Sequence, residues 1–437
     1  MTLKNLRWLA NRFIRSSRGG RLAKILAVVL SALTIALSLT LLALLGYAEK
    51  VDSWKIEIVD GLENVGKHTS IVLDENGQPH ISYFDAANRA LKYAKWDGSK
   101  WEIETVDKST DLELVGLDTS IALDSDGYPH ISYHYSYGPA GEGQAGLYYA
   151  RWTGSEWIIE MIDNGNLGLY TSIALDSDGY PHISYYAHTP NRDLKYARWT
   201  GSDWRIETID SADNVGMFTS LALDENGLPH ISYYDWSNRD LKYASWTGNE
   251  WEIETVDNTG DVGMYTSLAL DENGFPHISY HDELNWYLKY ARWTGSAWKI
   301  EIVDNTGSVG RDTSIALDSK GRPHISYYDW RSFGEGNLKY AMWTGKEWKI
   351  EVVDSTDNVG LYTSIALDKN GRPHISYFDQ TNRDLKYAIG PIAPKEKLPP
   401  PTPEISFPIA IVAIAVIVVV IIVATIILKF KKFTFSF

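Results

Sequence analysis

The chain has 437 residues, a net charge of −15 and no cysteine. That length exceeds one ordinary core, so the chain is several domains, a repeat array or one large closed architecture; without cysteine it has neither disulfides nor thiolate metal sites. Thirteen of the 41 Lys/Arg and three of the 56 Asp/Glu lie outside residues 51 to 390, which leaves that stretch near −25, a charge that repels phosphate backbones and excludes nucleic acid as a partner.

Residues 1–24 are basic, with Lys4, Arg7, Arg12, Arg15, Arg18, Arg21 and Lys24. Residues 25–48 follow as a signal peptide or a transmembrane helix: Ile25 to Leu45 is apolar and long enough to span a bilayer, and Gly46-Tyr47-Ala48 suits signal-peptidase cleavage. Retention and cleavage both remain open.

From 51 to 390 four short elements recur seven times. Trp-x-Ile-Glu-x-(Val/Ile)-Asp begins at Trp54, Trp101, Trp157, Trp204, Trp251, Trp298 and Trp348, and Thr-Ser-(Ile/Leu)-(Ala/Val)-Leu-Asp ends at Asp74, Asp124, Asp176, Asp224, Asp271, Asp318 and Asp368. Pro-His-Ile-Ser-Tyr carries His80, His130, His182, His230, His277, His324 and His374, and Leu-(Lys/Tyr)-Tyr-Ala begins at Leu91, Leu147, Leu194, Leu241, Leu288, Leu338 and Leu385. All four are rich in β-branched and aromatic residues and are separated by turn chemistry, the pattern of strands. A unit of about 47 residues matches a four-stranded propeller blade.

The array opens on a Trp element with nothing before it and leaves at Gly390, where an eighth such element is due. The expected fold is therefore all-β, a seven-bladed β-propeller of four-stranded blades in which Trp54 to Asp60 is the outermost strand of the last blade. Closure removes exposed sheet edges. Blades fall at about 61–107, 108–163, 164–210, 211–257, 258–304, 305–354, and 355–390 plus 51–60. Thr-Ser-Ile-Ala-Leu-Asp becomes the innermost strand of each blade.

Residues 391–406 form a Pro-rich stalk around Pro399-Pro400-Pro401, 407–428 an apolar transmembrane helix, and 429–437 a basic tail. Basic flanks on both helices put those ends in the cytoplasm and the propeller on the extracellular side of the cell membrane.

The run Ala174-Leu-Asp-Ser-Asp-Gly-Tyr-Pro-His-Ile-Ser-Tyr-Tyr186 resembles the inner hairpin of NHL-type propeller repeats, and is also similar to Asp-box propellers such as sialidases. The Asp-box spacing is not met, since Asp176 stands three residues before Gly179 and Asp178 one. The resemblance implies a propeller and no particular activity.

Seven equivalent histidines invite a metal reading, but they fall on the second strand and cannot converge on one ion. They read as buried framework, bonded to a neighbouring Ser, Thr or Asp. The Asp-x-(Asp/Asn)-Gly runs lack the further ligands of a calcium loop and read as hairpin turns, and the Trp pairs such as Trp152 and Trp157 as blade-edge packing. Neither a metal nor a cofactor is expected.

Function is expected where the units differ, on the face shared by the loop leading into the inner strand and the loop between second and third strands. The latter holds Phe84-Asp85, His134 to Gly146, Tyr186 to Asp193, Tyr234-Asp235-Trp236, His281 to Trp286, Tyr328 to Asn337 and Phe378-Asp379, with Asn-Arg recurring at Arg89, Arg192, Arg239 and Arg383. Aromatic rings beside Asn, Asp and Arg suit a sugar, or equally a protein hot spot. Against that stands a local ion pair such as Arg239 with Asp235. At the channel mouth the pairs Lys67-His68, Leu117-Asp118, Leu169-Tyr170, Met217-Phe218, Met264-Tyr265, Arg311-Asp312 and Leu361-Tyr362 are polar in blades six, one and two, with Tyr362 of blade seven interrupting, and apolar or aromatic elsewhere.

The leading expectation is a binding module for glycans or cell-surface polymers, through Trp236, Arg239, Trp286, Trp330, Arg331, Arg192, Arg383, Tyr170, Tyr265 and Tyr362. The alternatives are a scaffold for an envelope protein and a glycan-acting hydrolase or lyase using Asp118, Asp312 and His68. A sialidase-like reaction would need an arginine cluster and a Tyr-Glu pair that the sequence does not assemble.

Overall fold

The structure, a computed structural model, describes residues 53–391 except 63, 110–112, 137–144, 189–190 and 333. The two expected membrane segments and the stalk lie outside the described residues. No helix among the described residues is long and apolar enough to cross a membrane.

Seven antiparallel sheets of four strands form the ring. In the first blade the strands are Val65–Leu73, Pro79–Asp85, Ala90–Trp96 and Trp101–Lys108, from channel to rim, and the other blades repeat them. The seventh sheet is completed by the amino-terminal strand Lys55–Asp60, which pairs antiparallel with Asp384–Ile389 through Lys55 opposite Ile389 and Glu57 opposite Tyr387. The ring thus closes on itself as the repeat register requires.

The repeated residues are the joints between blades. Each inner-strand threonine donates its hydroxyl to a second-strand serine of the preceding blade, Thr119 to Ser82 at 2.9 Å and Thr69 to Ser376 at 2.8 Å among them. The adjacent serine accepts a backbone N–H from the next inner strand, as Ser70 does from Ile121 at 3.3 Å. The tyrosine of Pro-His-Ile-Ser-Tyr reaches back to the last Asp of the preceding outer strand, Tyr233 to Asp210 and Tyr280 to Asp257 at 2.7 Å. Most first-position tryptophans straddle the same joint: Trp157 stacks edge-on against Tyr93 at 5.6 Å and donates to Glu104 at 3.1 Å. The apolar core consists accordingly of seven similar clusters, each drawing residues from two blades, such as Leu91 and Val106 with Val115, Ile121 and Ile131.

Two expectations need correction. The histidine partner is a tyrosine hydroxyl of the third strand in every blade, for instance Tyr387 for His374 at 2.6 Å, and an Asp stands second at best, 3.4 Å from His130. Strand pairing places the Leu-Lys-Tyr-Ala tyrosine beside the histidine, and the sequence period does not reveal that neighbour. Phe84, Asp85, Tyr234, Asp235, His281, Asp282, Phe378 and Asp379, expected in loops, are buried at the ends of strands. Their carboxylates tie the loop above them: Asp235 accepts from the backbone N–H and the side-chain amide of Asn238 at 3.0 and 2.9 Å.

Candidate functional site

The channel end nearest the variable loops is shaped by two irregularities in every inner strand. The register shifts on both sides of Lys67, and at the equivalent place in the other six blades. The first shift accommodates Gly66 (φ 97°), which lies so close to Leu385 of the neighbouring blade that a Cβ would meet its backbone at 2.6 Å. The second places a side-chain-bearing residue in the left-handed region: His68, Asp118, Tyr170, Phe218, Tyr265, Asp312 and Tyr362 have φ between 48° and 54°. Such a conformation costs about 1–3 kcal/mol per residue and persists where its surroundings hold it. Here the Thr–Ser joint immediately follows each of the seven. The bulges decide that the second residue of each channel-mouth pair, and not the first, lines the channel.

These seven residues and the threonines after them enclose a cup of about 210 Å³. One arc is aromatic: Tyr170, Phe218 and Tyr265 follow at centroid distances of 4.5 and 4.6 Å. The remaining arc holds both carboxylates. Asp118 bonds the His68 ring nitrogen Nδ1 at 2.8 Å through one oxygen and the Tyr170 backbone N–H at 3.1 Å through the other, while His68 lies against Tyr362 at 4.4 Å. Asp312 accepts the Tyr362 backbone N–H at 3.0 Å. The two acids are pushed apart. Burial alone would raise Asp118, but His68 and the Tyr170 N–H outweigh it and hold its carboxyl below the ordinary value. Burial raises Asp312 above its ordinary value, and the Tyr362 N–H offsets only part of that rise.

The three catalytic candidates Asp118, Asp312 and His68 and the binding candidates Tyr170, Tyr265 and Tyr362 therefore share the cup. Phe218, absent from the expected set, completes it; its place in the Met217-Phe218 pair was the available signal. No Arg or Lys lines the cup. Lys67 turns to the Phe378 ring at 5.7 Å, and Arg311 to Glu283 at 3.3 Å.

The other candidates stand on the loop face. Trp236, Trp286 and Trp330 are exposed by 50, 52 and 39%, and they occupy three consecutive blades, the fourth to the sixth. Every other tryptophan among the described residues sits half-covered at blade joints and edges. Trp286, Arg192, Arg239 and Arg383 all have φ near 60°, where Asn or Gly is the ordinary choice, so their large side chains are held outward on tight turns. Arg239 pairs with Asp261 at 3.5 Å and not with Asp235, which is occupied by Asn238 and lies 3.8 Å from Lys242. Arg331 reaches Asp329 at 3.3 Å. Phe218 touches Tyr234 at 6.3 Å and Tyr234 touches Trp236 at 6.1 Å, so aromatic contact is continuous from cup to loop face.

Among the described residues no group of three or more His, Cys, Asp or Glu is arranged to hold a metal. No protein-family profile and no curated protein sequence matches the chain. Solved structures do match in fold. An ulvan lyase representing a new family of polysaccharide lyase superposes with a TM-score of 0.56 at 14% identity, over 76% of this chain and 96% of its own. A protein of unknown function from Dyadobacter fermentans gives 0.51 at 14% identity, over 78% of this chain and all of its own. Likeness at this level is a likeness of fold alone, and none of these matches carries the NHL-type resemblance.

Proposed function

We propose that the chain is a membrane-held, extracellular binding module that recognises glycans or cell-surface polymers through its loop face. The observation that carries this reading is the trio Trp236, Trp286 and Trp330, three indoles exposed on adjacent blades of one face. An exposed indole offers a flat apolar surface to the carbon face of a sugar ring, and Asn238, Arg239 and Arg331 supply planar hydrogen-bonding groups beside it. Several similar weak sites in one ring combine by multivalency. The ulvan lyase of similar fold has also been solved bound to a GlcA(1-4)Rha3S chain, which makes a polymeric sugar a reasonable first ligand class to test.

The chain ends support the orientation. Lys55 and Ile389 stand opposite each other at the end of their sheet where the tight Gly hairpins lie, away from the loop face. A glycan array on residues 51–391, which contain the whole closed ring, tests the reading, with Trp236→Ala combined with Trp330→Ala expected to abolish the signal. Absence of any glycan signal, together with pull-down of one defined envelope protein, would replace it with a protein scaffold. Turnover of a glycan that is lost on Asp312→Ala would replace it with an enzyme.

A further inference from the structure

The cup in the channel has a chemistry of its own, different from that of the loop face. Its titratable side chains other than tyrosine are Asp118, Asp312 and the His68 bonded to Asp118, and no lysine or arginine joins them. Asp118 has a partner on each oxygen; Asp312 uses one oxygen on the Tyr362 N–H, and no cationic side chain bonds it. Opposite lie Tyr170, Phe218 and Tyr265, packed against one another with their rings tilted by 42° and 44°. An anionic sugar or phosphate would meet both carboxylates here, with no lysine or arginine in the lining to receive it. A neutral sugar would leave the Asp312 charge without a counter-charge in a half-buried place.

We infer that the cup binds a small organic ammonium ion, with its charge toward Asp312 and its carbon toward the Tyr170–Phe218–Tyr265 arc. Carboxylate and aromatic π-systems both favour a cation over an isosteric neutral molecule, and the effect grows when the site is partly removed from water. The volume sets the size. At about 210 Å³ the cup is smaller than typical drug-sized pockets of roughly 300–1,000 Å³, so the part of a ligand seated in it is the size of a head group or a small metabolite. The raised carboxyl of Asp312 accords with a group that lacks its counter-ion, and an arriving cation supplies one.

The test is calorimetric titration of the full chain with choline and with 3,3-dimethylbutan-1-ol, its neutral isostere. The expected result is one choline per chain, bound at least about tenfold more tightly than the alcohol, with a loss of about tenfold or more on Asp312→Asn and on Phe218→Ala. Circular dichroism of both variants checks that the ring is intact. The variant carrying Trp236→Ala and Trp330→Ala is expected to keep its choline affinity, which separates this site from the glycan reading. Equal binding of choline and the alcohol, binding indifferent to Asp312→Asn in a folded variant, or no heat from choline would each overturn the inference.

Discussion

Tyr83 of the first blade donates its hydroxyl at 2.8 Å to Asp60, a residue of the strand that completes the seventh. The Lys92 ammonium bonds the same carboxylate oxygen, and all three groups are buried. The bond crosses the joint at which the ring closes, so it belongs neither to a hairpin nor to a single sheet. Replacing Asp60 by Ala strands the lysine, whose next carboxylate, Asp85, is 3.8 Å away. Loss of one partner of a buried pair costs about 3 kcal/mol or more, against about 1 kcal/mol for Tyr83→Phe, which removes one hydrogen bond. Chemical denaturation of the two variants should show that order.

Deleting the chain through Asp60 tests closure itself. The third strand of the seventh blade, Asp384–Ile389, then presents an unpaired edge, which invites pairing with another chain. Light scattering behind size exclusion is expected to find dimers and larger species. A monomer that melts like the parent would show that the amino-terminal strand is dispensable.

The two carboxylates of the cup should respond oppositely to amidation. Asp312 is raised in the folded state, so folding takes up a proton there and the ionised group costs stability at neutral pH. Asp118 is lowered, so its ionised form contributes stability above its unfolded value and loses it as pH falls through the folded one. At pH 7, Asp312→Asn is therefore expected to raise the thermal midpoint and Asp118→Asn to lower it. A matching sign for both would contradict the assigned environments.

Mild acid should weaken the ring before the carboxylates protonate. Burial lowers His80, His277 and His374 to about 4 from 6.5, with Asp74, Asp271 and Asp368 respectively opposing the shift. Because the unfolded chain binds more protons in that interval, stability is complete above about pH 6.5 and declines toward pH 4. Thermal melts at pH 7, 6, 5 and 4 should fall monotonically. Replacing all three by Gln, which stays neutral, should flatten the slope even where it lowers the midpoint.

The fold was legible because each repeated residue has a fixed role at a joint: Thr69, Tyr83 and Trp101 recur at constant spacing, and the unpaired first element at Trp54 announced its place in the last blade. The cup was only half legible. Six of its seven residues were named as candidates from the sequence and Phe218 was not, but why these rather than Lys67 or Met217 face the channel depends on two bulges that break the alternation by which strand faces are read. Nor does the sequence say that Asp235 holds the turn of its own loop while Arg239 crosses to Asp261, because that partner lies on the lead-in to the next blade. The indoles at 236, 286 and 330 stood out for a simpler reason: they interrupt an otherwise regular pattern.

The pairing of Lys55 with Ile389 makes the seventh sheet the seam of the molecule. A force drawing the two ends apart meets the hydrogen bonds of that seam one after another, the easiest way to unzip a sheet. A load on the opposite face is shared among seven equivalent joints. Mechanically the ring is therefore strong where it would be touched and weak only where it is sewn.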